Sequence, residues 1–244
     1  MSHPQQRRLL ALVDRIFLPT KKNGFGVLEI GSYDVNGSAR SFFPDARYVG
    51  VDLCEGPGVD MVSSGHEVAF PSESFDLVLS MECFEHNPYW RETFINMHRM
   101  SRNLVLVTCA GRGRLEHGTP RTSLRSSPGT AASGIDYYRN LTPRDFRTFD
   151  LSRLFVAWHL CTLGTDTYFI GWKTEPPTQL NKFIHQLRSV REPAPMRLRL
   201  FYFPLAIACR LLPDKAFQNF ALAYVKRTEH IRALGRSYLR TSSQ

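Results

Sequence analysis

Among its 244 residues the chain has only five cysteines, Cys54, Cys83, Cys109, Cys161 and Cys209, and no two of them stand in a C-x-x-C pair. Their odd number and wide spacing argue against a disulfide framework and a cysteine-based zinc site, and suit a reducing compartment. Long apolar runs are missing too. The longest, "FYFPLAIAC" at 201–209, is far short of the roughly 20 residues a spanning helix needs. The opening "MSHPQQRRLLALVDRIF" has its apolar stretch interrupted by Asp14 and Arg15, so it does not read as a secretory signal. The expected location is cytoplasmic, with peripheral attachment at the inner face of the membrane as the alternative. Phosphate-binding signatures are also lacking: no G-K-S/T follows a glycine turn, and Gly31 and Gly37 are six residues apart with Asp34 between them, which breaks G-x-G-x-x-G. No metal cluster is evident in the sequence, which favours metal-independent chemistry. Neither internal repeats nor low-complexity tracts occur.

What the chain does have is enough apolar residue, 43%, for a buried core. Leu9, Leu12, Val13, Ile16 and Phe17 recur on one helical stripe that Pro19 ends. "GVLEIG", "ARYVGVDL", a short "GPGVDMV", "FDLVLSM" and "NLVLVTC" read as successive buried strands. A helix from Asn36 to Phe43, capped by Asn36, is expected after the first strand, and a second on Trp90, Phe94 and Met97 after the fourth. Thr142 caps a further helix with Pro143 at its first position. "RLFVAWHLC" and "TYFIGWK" close the domain as a hairpin around "TLGTD". The expected fold is α/β, a doubly wound, mostly parallel seven-stranded Rossmann-like sheet with an antiparallel C-terminal hairpin. A catalytic domain at 1–175 would carry a lid at about 110–141, too long for an idle connection. A helical extension follows at 176–244, with a break at "REPAP". It holds the whole net charge of +9, because twelve Lys and Arg stand there against three Asp and Glu and the remainder is neutral.

The stretch "LEIGSYDVNGS" locates the chemistry. In doubly wound sheets ligands settle beyond the carboxyl ends of the strands, where Glu29, Gly31 and Gly37 fall. Gly31 lets a ligand approach the backbone. Glu29 can accept hydrogen bonds from an ammonium group or organise the turn. The acidic turn repels a pyrophosphate and suits a cation. Asp52, at the end of the second strand, is placed to accept both hydroxyls of a ribose.

Together, "LEIGSYDVNGS", "YVGVDL", "VAFPSESFDLVLSMECFEH" and "YFIGWK" resemble the class I S-adenosylmethionine-dependent methyltransferases, in particular their small-molecule branch, over about residues 24–173. The resemblance implies S-adenosylmethionine as cofactor. It places the methionine moiety near Glu29, Gly31 and Ser32, the ribose on Asp52, and the adenine against Leu53 and the segment Ser64, Gly65 and His66. Ser80 and Met81 would face the sulfonium. Ser64 stands where family members often have an acidic residue that contacts the adenine amino group.

Past the fourth strand, "ECFEH" puts Glu82, Glu85 and His86 where an acceptor would meet the methyl group. His86 would serve as a general base or as a packing residue that holds the loop, and His117 in the lid is the second candidate base. Arg114 and Arg121 in the lid would bind an anionic acceptor or be solvated, and Tyr137 and Tyr138 would stack on a sugar ring or anchor the lid. The expected reaction is methyl transfer to a hydroxyl of a small molecule, a saccharide or a glycolipid. The rivals are an RNA methyltransferase that uses the basic extension, and a non-catalytic cofactor-binding or scaffold protein. For the extension itself, packing or homodimer formation ranks first, a lipid surface second and nucleic acid third.

Overall fold

The computed structural model describes residues 4–17, 24–176, 178–188 and 196–241. The expected helix stop at Pro19 and the break at "REPAP" lie outside them. The chain divides into two compact units, one of Met1–Arg112 with His117–Pro193, the other of Gly113–Glu116 with Ala194–Gln244.

The first unit is built on seven strands in the order β3-β2-β1-β4-β5-β7-β6. Their ranges are β1 Gly26–Ile30, β2 Arg47–Asp52, β3 Met61–Val62, β4 Phe75–Met81, β5 Ser101–Ala110, β6 Ala157–Leu163 and β7 Asp166–Trp172. The first five pair in parallel, and β7 runs antiparallel to both β5 and β6. This is the doubly wound arrangement with a closing hairpin that the alternation of apolar segments implies. The strands are apolar on both faces, and successive residues feed two cores. Leu28, Ile30, Val78, Val105 and Val107 join Trp90, Phe94 and Met97 of α2 (Trp90–Met100) and Phe146 of α4 (Pro143–Phe146). On the opposite face, Val27, Leu77, Leu79, Leu104 and Leu106 meet Leu9, Leu12 and Val13 of α1 (Pro4–Phe17). Phe183 and Leu187 of α6 (Leu180–Leu187) complete that second core. The helix at 180–187 thus belongs to the first unit. Two short helices finish the unit's inventory, α3 (Pro128–Ser133) and α5 (Leu151–Leu154).

Two local expectations are corrected. The segment after β1 forms no α-helix but a 3₁₀ turn at Ala39–Phe42, and its cap is Ser38, which accepts from the Arg40 N–H, rather than Asn36. The reason lies just upstream, where the Asp34 carboxylate takes the Gly37 N–H at 2.6 Å and holds the chain in an irregular turn. The hairpin also starts later than read, because "RLF" leads in from α5 and β6 begins only at Ala157. At α4 the expected cap holds: the Asp145 carboxylate accepts from both the N–H and the hydroxyl of Thr142 at 2.8 Å.

The second unit pairs α7 (Met196–Leu211) with α8 (Asp214–Thr241). Leu205, Ala208, Phe217 and Ala221 form its small core, with Leu115 packed alongside. The Gln218 amide bridges the short strap at 113–116, donating to the Arg114 carbonyl at 2.8 Å and accepting from the Glu116 N–H at 2.9 Å. Among the described residues, no helix is long and apolar enough to cross a membrane.

Candidate active site

The chain leaving β1 turns sharply because Gly31 adopts φ +81°, a conformation that costs other residues roughly 1–2 kcal/mol. The Gly31 and Ser32 N–H groups both donate to the Val51 carbonyl, at 2.8 and 3.1 Å, which ties this exit to β2. The site also demands the absence of a side chain, because a Cβ on Gly31 would lie 2.5 Å from that of Cys83. At the end of β2, Asp52 is organised by the same turn. Its carboxylate accepts from the Tyr33 N–H at 2.9 Å and the Leu53 N–H at 2.7 Å. Burial nevertheless pushes its pKa up, outweighing both hydrogen bonds.

These exits border a cavity that opens to solvent. Asp52, Leu53 and the segment Ser63–His66 form one part of its wall, and Ile30 and Gly31 its floor. His66 stacks on Tyr89 with ring centroids 4.2 Å apart. The loop carrying Gly65 is fixed from behind by Asn96, which donates to the carbonyls of Gly65 and Val68 at 2.9 Å. The Ser64 hydroxyl donates to Glu67. From the lid come Ser126–Thr130 and Ile135. Gly129 in α3 lies so close to Asp52 that a Cβ there would fall 2.4 Å from Oδ1.

The opposite wall follows β4. Glu82 takes a positive φ of 55°, unusual for a residue other than glycine, and its N–H donates to the Thr108 carbonyl at 2.8 Å. The chain then enters a 3₁₀ turn at Phe84–His86. Phe84 is fully buried and stacks on Phe146 at 6.3 Å, so the turn is anchored in the aromatic core. Glu82, Cys83 and His86 line the cavity. Burial pushes the Cys83 thiol up to about 12. It also pulls His86 down to about 3, with the neighbouring His117 as a lesser cause, so the imidazole is neutral near pH 7. His117 approaches from the lid, where its Nδ1 meets the Tyr138 hydroxyl at 3.2 Å and its Nε2 lies 3.7 Å from Oε1 of the fully buried Glu85.

Residues 38–106 match the family model for a methyltransferase domain. That stretch is under a third of the chain, and over it the sequence is similar to a methyltransferase domain. A search of curated proteins found no match. Among solved structures, one similar chain is an Anabaena variabilis protein described as a methyltransferase from an antibiotic biosynthesis pathway. It is 17% identical, with 46% of this chain and 48% of that one covered and a TM-score of 0.36. The match therefore spans about half the length of that protein. Another is the Burkholderia thailandensis 1,6-didemethyltoxoflavin-N1-methyltransferase with bound S-adenosylhomocysteine, 14% identical over 70% of this chain and 79% of that one, TM-score 0.47. A third is the Haemonchus contortus phosphoethanolamine N-methyltransferase 2 in complex with S-adenosyl-L-methionine, 16% identical over 93% and 49%, TM-score 0.47.

Not every residue singled out in the sequence borders the cavity. Gly31, Asp52, Leu53, Ser64, Gly65, His66 and His86 do. Glu29 does not: it is one residue out of phase with Leu28 and Ile30, and it accepts a 2.6 Å hydrogen bond from the Tyr48 hydroxyl. Burial pushes its pKa up. Ser32 and Gly37 also stand away from the wall, Ser32 being buried and Gly37 held by Asp34. The side chains of Ser80 and Met81 are spent inside the sheet. The Ser80 hydroxyl donates to the Ile30 carbonyl at 2.8 Å, and Met81 packs in the second core. Glu82 and Cys83 take the positions at the cavity that the sequence assigned to that pair, because the turn at Glu82 comes one residue after the strand ends. Ser80→Ala is accordingly expected to lower stability by about 1 kcal/mol, the worth of one buried hydrogen bond. It should leave cofactor affinity unchanged, as denaturant melts and calorimetry on the same sample would show.

The lid residues chosen for an anionic or sugar acceptor are likewise displaced from the cavity. Arg121, Tyr137 and Tyr138 do not line it, and Arg114 falls in the second unit. Tyr137 and Tyr138 are in any case occupied, the first by a hydrogen bond with Arg139, the second by His117. Sequence reasoning placed Glu82 past the fourth strand, where it does line the cavity, and missed Tyr33, Tyr89, Cys83 and the stretch 126–130. Only "ECFEH" carried a signal for one of these, Cys83, as a residue directly after an apolar strand.

Proposed function

We propose that the protein is an enzyme that transfers the methyl group of S-adenosylmethionine to a hydroxyl of a small molecule. The observation that supports this most is that a single cavity is bordered by both the Asp52 carboxylate and the Glu82–His86 turn. In this reading the ribose hydroxyls bind the lone pairs of Asp52 left over by Tyr33 and Leu53. The adenine lies between Leu53 and the Ser64–His66 loop, and the methionine end rests against Gly31. The sulfonium methyl then points toward Glu82 and His86. The acceptor oxygen bonds to the methyl carbon as the carbon–sulfur bond breaks, and neutral S-adenosylhomocysteine leaves. The main task of the protein is alignment, because the methyl group is already activated.

Among the described residues no Lys or Arg lines the cavity, and much of its wall is apolar, with Ile30, Val35, Leu53, Pro88 and Ile135. Those features favour a neutral acceptor over a phosphorylated one. The hydroxyl must also lose its proton; a His86 imidazole whose pKa is pulled to about 3 holds a proton poorly at neutral pH, so the proton passes to solvent water through the open side of the cavity. The test is incubation with S-adenosylmethionine labelled in its methyl group and a fractionated cell extract. Label should enter neutral hydroxylated metabolites as a base-stable ether. Label confined to amines or RNA would reject the hydroxyl acceptor.

A further inference from the structure

We propose that Glu85, His86 and His117 bind a divalent transition-metal ion of the zinc class at the wall of the cavity. Each offers one ligand atom, and these atoms lie within 4.8 Å of one another. Glu85 and His86 are adjacent in the chain, while His117 is brought to them by the lid, so their spacing in sequence gives no hint of the group. Gly118 makes the approach possible: its φ is +66°, and a Cβ there would fall 2.7 Å from Cε1 of His86.

The geometry and chemistry match what such an ion needs. Two ligands about 2.1 Å from a zinc ion at the tetrahedral angle would be about 3.4 Å from each other. His117 Nε2 and Glu85 Oε1 are 3.7 Å apart. The Tyr138 hydroxyl at Nδ1 of His117 fixes the ring with Nε2 toward Glu85, as outer partners of metal-bound histidines do. His86 has its Nδ1 buried with no hydrogen-bond partner, an arrangement that is costly for a buried polar atom, and its ring meets that of His117 edge-on at 5.1 Å. Two imidazoles and one carboxylate form a donor set for zinc, iron(II) or manganese, and three protein ligands leave positions open. His86 borders the cavity, so an open position can face it.

On the methyl-transfer reading, on which this role rests, the ion would bind the acceptor oxygen and lower the pKa of its hydroxyl. The corollary is that His86 and His117 are ligands rather than proton acceptors.

The experiment is calorimetric titration of metal-stripped, full-length protein with Zn²⁺, followed by Co²⁺ in its place. One equivalent of Zn²⁺ should bind, and Co²⁺ should give visible d–d bands without cobalt–thiolate absorption. His117 is partly exposed and so is the safer site to change. His117→Gln should weaken Zn²⁺ binding by at least roughly tenfold with its thermal melt preserved; should that variant melt early, the wild-type cobalt spectrum decides. Absence of Zn²⁺ binding by the wild type, a thiolate band, or unchanged affinity in a folded His117→Gln protein would each overturn the site. Affinity for S-adenosylhomocysteine, measured on the same samples, keeps the two ideas apart. If it is retained while zinc binding fails, only the ion is lost; if it is absent from the wild type, the methyl-transfer reading falls.

Discussion

Gly31→Ala is expected to lower stability by about 2–5 kcal/mol, and Gly31→Arg to abolish cofactor binding altogether. Two separate costs combine. The φ of +81° penalises any side chain by roughly 1–2 kcal/mol. A Cβ would in addition meet Cβ and Sγ of Cys83 at 2.5 and 2.7 Å, and overpacking of that kind adds about 1–3 kcal/mol. Neither neighbour can retreat cheaply. Gly31 is tied to Val51 by its N–H, and Cys83 sits between the positive-φ turn of Glu82 and the buried Phe84 ring. In a chain of this size each kcal/mol corresponds to about 2–4 °C in Tm, so the alanine variant should melt about 5–20 °C lower. The two costs can be separated. Cys83→Gly in the Gly31→Ala background removes the steric part and leaves the backbone part, so about half of the lost stability should return. A Gly31→Ala protein that melts within a degree of wild type would contradict the geometry at this turn.

What the sequence revealed and what it hid follow from the range of the interactions involved. The order of the strands was legible because each is a short apolar run bounded by turn residues, and buried parallel strands need little else. Asp52 and Gly31 were legible because their roles depend on the end of one strand and on local backbone conformation. Glu29 illustrates the limit. Its place at the end of β1 was clear, yet which face it points to depends on the two-residue period, and its partner Tyr48 lies on another strand. The cavity positions expected for Ser80 and Met81 fall two residues later, because a positive φ at Glu82 cannot be read from a sequence in which glycine is the usual marker of such a turn. The helix expected over 36–43 lost to a side-chain contact, Asp34 to the Gly37 N–H, which competes with the helical ladder at short range. Least legible was the meeting of Glu85 and His86 with His117. It depends on the path of a lid that has no periodicity of its own, and no spacing rule reports it.

The charge pattern of the second unit was fully legible, because composition needs no structure. Its partner was not. The packing of α7 on α8 uses Leu205, Ala208, Phe217 and Ala221 and leaves Tyr202, Phe203, Ile207 and Leu211 exposed. Scattered apolar exposure of this sort is ordinary on folded proteins, and so the ranking among packing, lipid and nucleic acid gains nothing from it.

Asp52→Ala should weaken S-adenosylhomocysteine binding by about a hundredfold, while Asp52→Asn should fall between that variant and wild type. On the proposed reading the carboxylate accepts two ribose hydroxyls, and hydrogen bonds to a charged group are worth about 1.5–3 kcal/mol each. Loss of about 3 kcal/mol is two decades of affinity. Stability should move differently, which is what separates a binding residue from a structural one. Burial raises the Asp52 pKa in the folded chain, so ionisation is less favourable there than in the unfolded chain. A raised carboxylate pKa means that the ionised group detracts from stability above its ordinary pKa and ceases to do so as pH falls below it. Asp52→Asn removes that burden and keeps one acceptor oxygen for the Tyr33 or Leu53 N–H, so at neutral pH it should melt no lower than wild type even as it loses ligand affinity. The same shift gives binding a pH signature. Affinity for S-adenosylhomocysteine in the wild type should fall as pH drops through the raised Asp52 pKa, since the protonated acid offers one acceptor fewer, whereas the asparagine variant should show a flatter profile over that range. Calorimetry at a series of pH values, with thermal melts of the same samples, tests all three expectations. Equal affinity in Asp52→Ala and wild type would remove the ribose from this carboxylate and with it the orientation proposed for the cofactor.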